Sequence, residues 1–398
     1  MTKSTICLNM IVKNESHIIL STLKNVLEHI NIDYWVISDT GSTDDTIDII
    51  NNFFKERGIS GEMFCDEWKD FGHNRTKALE HAFGKSDYLF IFDADDLIEG
   101  NMNLPLILDK DCYKIQFENP VSYHRPILIS NKMKWKYIGI LHESIVSIDT
   151  KKSEEYLGGD YYILSRRLGN RSKNPDKYLD DAILLENAYN SETDIGLQAR
   201  YAFYCAQSYK DSGRNEISIK WYTKVLTLCN WNQEKYYSCM MLGELYRVKK
   251  DYINAIKYWG ESYNYDKERI ECIASIMEYY YNIGQHFMVS SLYNKFKDTN
   301  VIKKDKLFLD CSKYEQFHYY ASVSGSYCDE YKSAYEACKY LLLNNSQNTD
   351  NTLYNINNSY IKYFKEDKDD ISLVDFFINY LTKDPMRYIE KNWLHIIT

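Results

Sequence analysis

Three aspartates stand within four positions at Asp93-Ala94-Asp95-Asp96, directly after the run Tyr88-Leu89-Phe90-Ile91-Phe92. Five apolar or aromatic residues in a row predict a strand buried on both faces, with the carboxylates crowded at its end. Carboxylates at that density repel one another and lose hydration, and a cation relieves both costs. Ligation by oxygen alone suits Mg²⁺ or Mn²⁺, with a phosphate sharing the coordination shell. The competing reading is a solvated acidic loop after a core strand. Two further polar clusters bear on the choice: Lys13-Asn14-Glu15, and Asp39 to Ser42.

The elements that must position these clusters alternate in type. Thr5 to Val12 is a strand candidate. A helix follows with Ile19, Leu23, Val26, Leu27 and Ile30 on one face. Tyr34 to Ile37 is the second strand, and Thr43 is the expected N-cap of the helix that buries Ile47, Ile50, Phe53 and Phe54. Gly58 and Gly61 close that helix, and Glu62 to Cys65 is a third strand. Asp70 to Arg75 opens a helix with Ala78, Leu79, Ala82 and Phe83 inward, and the Tyr88 strand comes next. This alternation predicts an α/β fold, a mostly parallel sheet with helices on both faces. Ligands of such sheets sit outside the carboxyl ends of the strands. All three polar clusters fall at carboxyl ends, so they are expected to converge. There is no GxGxxG after the first strand and no GxxxxGK[ST], which disfavours a dinucleotide fold and a P-loop. A nucleotide site that holds diphosphate through a metal remains.

Four segments carry a family resemblance: Met10 to Glu15, Asp39 to Asp44, Phe71 to Thr76, and Asp93 to Asp96. Their order and spacing resemble glycosyltransferases of family two, most of all the subgroup with a C-terminal tetratricopeptide-like region. The resemblance implies a GT-A fold, with Asp93-Ala94-Asp95 as the DxD motif. It implies a nucleotide-sugar site formed by Val12, Asn14, Glu15, Asp39, Gly41, Ser42, Asn74, Arg75, Asp93, Ala94 and Arg171. In it, Asp39 reads the base and Glu15 the base or ribose. Asp93 faces the ribose and metal, Asp95 ligates the metal, and Arg75 lies near the sugar or diphosphate. Asp96 stands where the family often has Glu.

From Asn101 to Ile148 the pattern loosens. Cys112 to Phe117 and Tyr123 to Ile129 are strand-like, and Lys134 to Leu141 precedes His142-Glu143. Trp135, Gly139 and the His-Glu pair again resemble that subgroup. Inverting sugar transfer requires a general base for the acceptor hydroxyl, and Glu143 is assigned to it. His142 is assigned to the metal, beside Asp93 and Asp95, or to the diphosphate. Trp135 is either a sugar-stacking or a core residue. Ser165 to Pro175 reads as a mobile interdomain loop whose Arg166, Arg167, Arg171 and Lys173 close over the diphosphate or form a solvated linker.

After Asp176 helical spacing takes over. Tyr209, Tyr246 and Tyr280 align, as do Tyr222, Trp259 and Tyr293, at the period of a tetratricopeptide unit of about 34 residues. The expected organisation is residues 1–174 for the GT-A domain, 175–300 for the repeats and 301–398 for a helical extension or cap. Asn344 to Thr352 reads as a polar connection and Leu373 to Leu381 as a final helix.

Composition narrows the function classes. At 398 residues and 44% hydrophobic, the chain is long enough for two or three cored domains. No stretch approaches a membrane span and no secretion signal is read. The 10 cysteines form no CxxC pair, which predicts reduced thiols and a cytoplasmic location. A net charge of −9 argues against nucleic-acid binding. The functional expectation is a Mn²⁺- or Mg²⁺-dependent inverting transferase that moves a sugar from a nucleoside diphosphate sugar, a UDP-sugar foremost, to a glycan or polypeptide. The repeats bind the acceptor or a second copy of the chain as a homodimer. The rivals are a nucleotidyltransferase and a non-catalytic repeat scaffold with a relic nucleotide domain.

Overall fold

The structure is a computed structural model that describes residues 3–118, 121–148, 152–299, 305–344, 346–367 and 370–383. Packing divides the chain into two compact units: Met1–Ser238 with Lys303–Leu309, and Cys239–Ile302 with Asp310–Thr398.

The first unit opens with β1 (Ile6–Val12), α1 (Ile19–His29), β2 (Tyr34–Asp39), α2 (Thr46–Arg57), β3 (Gly61–Cys65), α3 (Phe71–Ala82) and β4 (Tyr88–Ile91). Helix α1 buries Ile19, Leu23 and Val26, the stripe its periodicity announces. Helix α2 ends at Gly58, whose φ of 66° is the left-handed conformation that costs glycine least. Gly61 is required for another reason: a Cβ there would stand 2.3 Å from the Trp35 indole. The expected cap of α2 is corrected, because Asp45 holds the cap position without a side-chain bond and the Thr43 N–H goes to Asn14 Oδ1 at 2.7 Å. Asp70 caps α3, accepting the His73 N–H at 2.7 Å.

Strands β5 (Asp96–Asn101), β6 (Cys112–Glu118), β7 (Ser122–Ser130), β8 (Trp135–Ile138), β9 (Ser144–Ser147), β10 (Glu154–Tyr156) and β11 (Asp160–Ser165) follow. Among the described residues nine strands form one sheet in the order β3-β2-β1-β4-β7-β6-β11-β5, with β10 beside β6. Only β7 and β5 run against the rest, so the sheet is mixed and mostly parallel. Its core includes Leu8, Ile37, Phe90, Ile115 and Leu128, all buried. Strands β8 and β9 make a separate hairpin. Trp135 belongs to the core: it is buried and donates its indole N–H to Ser130 O at 2.9 Å.

A 3₁₀ turn at Asn170–Lys173 leads into α4 (Lys177–Ser191), α5 (Ile195–Asp211), α6 (Asn215–Leu228) and α7 (Asn232–Val248). Strands thus give way to helices near Asn174, yet the first compact unit continues to Ser238. Lys303–Leu309 joins it as well: Phe308 stacks on Phe203 and Leu309 bridges to Ser122.

The second unit takes in the rest of α7, then α8 (Tyr252–Tyr265), α9 (Glu271–Asn282), α10 (His286–Phe296), α11 (Ser312–Ser324), α12 (Tyr331–Leu343), α13 (Thr349–Asn355), α14 (Ile361–Glu366) and α15 (Ile371–Lys383). The expected polar connection at Asn344 to Thr352 is partly helix, since α13 starts at Thr349 and buries Thr352 and Leu353. Among the described residues no helix is long and apolar enough to cross a membrane.

Candidate active site at the carboxyl edge of the sheet

Strands β1, β2 and β4 are adjacent and parallel, so residues 13–15, 39–42 and 93–96 leave the sheet along one edge. The expected convergence follows from that register. The structure arranges the candidate residues in three groups.

The first lies where β1 and β2 end, with Val12 opposite Asp39. Asp39 is buried, and its Oδ2 accepts the N–H groups of Gly41 and Ser42, both at 2.9 Å. Gly41 has a φ of 100°, so this turn requires glycine. Asp39 Oδ1 is buried and has no partner. A buried acceptor left unpaired is costly, and a ligand N–H would remove the cost. Asn14 braces the group: its N–H reaches Ser42 Oγ at 2.8 Å, and its φ of 57° is positive.

The second group joins Glu15 to Asp95. The N–H of Gly169 donates to Asp95 Oδ2 at 3.1 Å, and that of Asn170 to Glu15 Oε1 at 3.1 Å. Gly169 fits tightly, since a Cβ there would stand 3.3 Å from both carboxylates. Arg166 anchors this strap by donating to Asp95 O at 3.1 Å and to Thr22 Oγ1 at 2.9 Å. Thr22 in turn donates to Ala94 O at 2.5 Å. Burial, together with the nearby Asp95 charge, holds the Glu15 carboxyl above its ordinary range despite the Asn170 bond.

The third group centres on Arg75. This buried guanidinium pairs with Asp93 Oδ1 and Glu143 Oε1, each at 2.6 Å. Arg125, on β7, stands 3.9 Å from Asp93 Oδ2. Burial alone would raise the Asp93 carboxyl, but Arg75 and Arg125 outweigh it and hold it below the ordinary range. Asp96 behaves oppositely: burial, then the charge of Asp93, push its carboxyl well above that range. Burial also raises Tyr137, beneath Arg75, to about 12.

Glu143 reaches Arg75 because α3 and the β8–β9 hairpin touch. A Cβ on Gly72 would lie 2.2 Å from Gly139 O. Phe71 N bonds Ile140 O at 3.2 Å, and Tyr137 N bonds Thr76 Oγ1 at 2.9 Å. His142, in a left-handed conformation with φ of 52°, stacks on Tyr204 with ring centroids 4.1 Å apart. Its carbonyl accepts the Arg200 Nε–H at 2.8 Å. Although water reaches this residue, crowding by the surrounding chain and then the charges of Arg200, Arg171, Lys177 and Arg125 pull its imidazole down, leaving it neutral at pH 7.

Two expected ligand contacts are occupied within the protein. The Asn74 amide holds the preceding loop, accepting from Lys69 N and donating to Glu67 O, both at 2.9 Å. Arg171 pairs with Asp181 and covers the Phe71 ring. The expected metal set of Asp93, Asp95 and His142 is not assembled as a cage: among the described residues no three His, Cys, Asp or Glu side chains converge on one point. The reason is visible at Asp93, which two guanidinium groups already satisfy. Mg²⁺ and Mn²⁺ on a diphosphate need only one or two carboxylates, the phosphate oxygens supplying the rest. Asp95 stands at the sheet edge beside Glu15, with its Oδ2 accepting the Gly169 N–H.

Arg125, Arg200 and Tyr204 were not singled out by sequence, and Arg166, read there as closing over the diphosphate or as part of a linker, instead donates to Asp95 O and Thr22 Oγ1. Arg125 had a signal, as a charged residue within a strand pattern. The Arg200–Tyr204 pair had only helical i,i+4 spacing, which says nothing of a neighbour 58 residues earlier.

Residues 7–112 match the profile described as Glycosyl transferase family 2. Two curated relatives match the chain: the SPbeta prophage-derived glycosyltransferase SunS of Bacillus subtilis (strain 168) and the glycosyltransferase SunS of Bacillus phage SPbeta. Each is 38% identical over 94 residues, 23% of this chain. The chain spans about a fifth of the length of the curated relatives it matches, 20% in each case. Among solved structures, S. aureus TarS 1–349 in complex with UDP-GlcNAc is 14% identical, covering 65% of this chain and 91% of that one, at a TM-score of 0.29. The mannosyltransferase PcManGT of Pyrobaculum calidifontis in complex with GDP-Man and Mn²⁺ is 22% identical, covering 24% and 29%, at a TM-score of 0.22. The three site-bearing strand ends 13–15, 39–42 and 93–96 all fall inside the matched segment, and residues 7–112 carry a glycosyl transferase family 2 domain.

Proposed function

We propose that this protein transfers a sugar from a nucleoside diphosphate sugar, with uridine as the base, to a hydroxyl or other nucleophile on a glycan or polypeptide. The observation that carries the reading is Asp39 Oδ1, a buried acceptor without a partner on the edge that also presents Glu15 and Asp95. Uracil offers an N–H suited to it. Glu15 takes a ribose hydroxyl, and Arg75 holds Asp93 and Glu143 in fixed positions. Asp95, with His142 as a second ligand, would hold a divalent cation, Mn²⁺ or Mg²⁺, which would supply positive charge to the diphosphate oxygens. Glu143, ion-paired with Arg75 through Oε1, takes the proton of the acceptor hydroxyl.

The helix pairs α5–α6, α7–α8 and α9–α10 are tetratricopeptide-like repeats in this reading, and they bind the acceptor or a second copy. The aligned positions Tyr222, Trp259 and Tyr293 are all buried, as one repeated packing position requires. Calorimetry tests the donor assignment. Asp39→Ala should weaken UDP binding in Mn²⁺ by about 1–3 kcal/mol, the scale of one buried hydrogen bond. Unchanged affinity would reduce Asp39 to a turn residue.

A further inference from the structure

Three helix hairpins of the second compact unit expose apolar side chains where their helices meet. Helix α7 passes to α8 through Val248, Tyr252 and Ile253, α9 to α10 through Ile283 and Phe287, and α11 to α12 through Tyr327. Ile253 is 85% exposed, Phe287 71%, Tyr327 69% and Val248 60%. Apolar residues exposed singly need no explanation, but these are neighbours. Tyr252 of the first turn meets Tyr279 near the end of α9, with ring centroids 4.8 Å apart. His286 of the second turn stacks on Tyr327 of the third at 4.1 Å. The three turns therefore form one strip. Phe287 and Tyr327 alone leave about 300 Å² uncovered, the scale of a typical monomer's largest apolar patch.

The charges along the strip choose its occupant. The first turn carries Arg247, Lys249 and Lys250, all exposed. Its one acid, Asp251, is used within the hairpin, where it accepts the Asn254 N–H at 3.2 Å. The second turn, Asn282 to Phe287, has no acid, lysine or arginine. The third turn carries Asp329 and Glu330, both exposed, with Lys332 following on α12. A partner of one sign of charge would be attracted at one end and repelled at the other. A strip that is basic, then apolar, then acidic is instead complementary to itself when turned through half a circle. A two-fold axis at Phe287 sets the first turn of each copy against the third turn of the other, so lysine meets carboxylate at both ends. An aromatic anchor then lies at the centre and charge at the rim, the usual anatomy of an interface.

We infer that this strip joins two copies of the chain about a two-fold axis, with Phe287 at its centre and Lys250 of each copy facing Asp329 and Glu330 of the partner subunit. It deepens the reading in which the helical region takes a second copy. Association requires neither donor nor metal, so this inference and the transferase reading fail separately.

Sedimentation velocity on the full chain without nucleotide, from about 1 to about 100 µM, tests it; a dimer with a micromolar or tighter Kd is expected. Ile253→Asp combined with Phe287→Asp should leave a monomer. Both positions are exposed, so circular dichroism and the melting temperature should not change. Lys250→Glu should weaken the dimer about tenfold, and Glu330→Lys likewise, because each contact occurs twice. The two reversals in one chain should restore the wild-type affinity. A chain that stays monomeric throughout leaves the strip for another partner and overturns the inference. So does a dimer that survives the paired aspartate substitutions, or a double reversal no tighter than the single ones.

Discussion

Arg75 converts two separate sequence clues into one arrangement. It lies between Asp93, at the end of β4, and Glu143, beyond β8, at 2.6 Å from each. The Arg75 charge thus stands against the carboxylate proposed as the general base, although its Nε makes no hydrogen bond there. Glu143→Gln keeps the side chain's size but cannot take a proton. Transfer should fall by about a hundredfold or more, with UDP-sugar affinity nearly unchanged. Single-turnover kinetics beside calorimetry separates the two effects; near-normal transfer would move the base elsewhere. Asp96 makes a second residue-scale prediction. Its carboxyl is raised, so the folded state favours its protonated form. The stability this gives is fully present below the ordinary carboxylate range and is lost as pH rises through the raised value. Asp96→Asn imitates the protonated acid at every pH. Its melting temperature should gain on the wild type as pH rises above the ordinary carboxylate range; a constant difference would refute the raised Asp96 carboxyl. The crowding of Asp93 to Asp96 at the end of a buried strand was legible in the sequence. The opposite shifts of Asp93 and Asp96 were not: Asp93 is lowered by Arg75 and Arg125, brought in by α3 and β7, and Asp96 is raised by its burial and then by the charge of Asp93.

At the scale of elements, the site depends on α3 meeting the β8–β9 hairpin. The meeting is possible because Gly72 lacks a side chain; a methyl would lie 2.2 Å from Gly139 O, a backbone atom with little freedom to yield. Gly72→Ala should therefore displace the hairpin and part Glu143 from Arg75. Turnover should fall at least tenfold, about 1.4 kcal/mol in barrier, while UDP affinity, set at the β1 and β2 ends, stays the same. Equal losses in both would show that the contact supports the whole sheet. Most elements were legible from periodicity: β1 to β4 and α1 to α3 follow the apolar pattern of their residues. Sheet order beyond β4 was not. β7 lies between β4 and β6 although it follows β6 in sequence, and strand periodicity carries no information about which strand becomes the neighbour. The strap at Gly169 and Asn170 was read as a mobile loop from its composition. Its backbone bonds to Asp95 and Glu15 are long-range and leave no trace in local sequence.

At the scale of the whole molecule, the change from strands to helices near Asn174 was visible in the sequence, whereas the extent of the first compact unit was not. That unit runs to Ser238 because α5 supplies Arg200 and Tyr204 against His142. Helical periodicity showed that α5 exists but not that it packs on the strand-bearing half. The central claim concerns what this assembly does as an enzyme: a donor read by Asp39 and held through a cation at Asp95. It is tested most directly by incubating the intact chain with a panel of nucleoside diphosphate sugars in Mn²⁺ and measuring release of free nucleotide. The account predicts that at least one UDP-sugar is cleaved, that EDTA stops the cleavage, and that Asp95→Ala abolishes it while leaving the thermal unfolding transition in place. Cleavage that persists in EDTA and in Asp95→Ala, or no cleavage and no binding of any UDP-sugar, would contradict it.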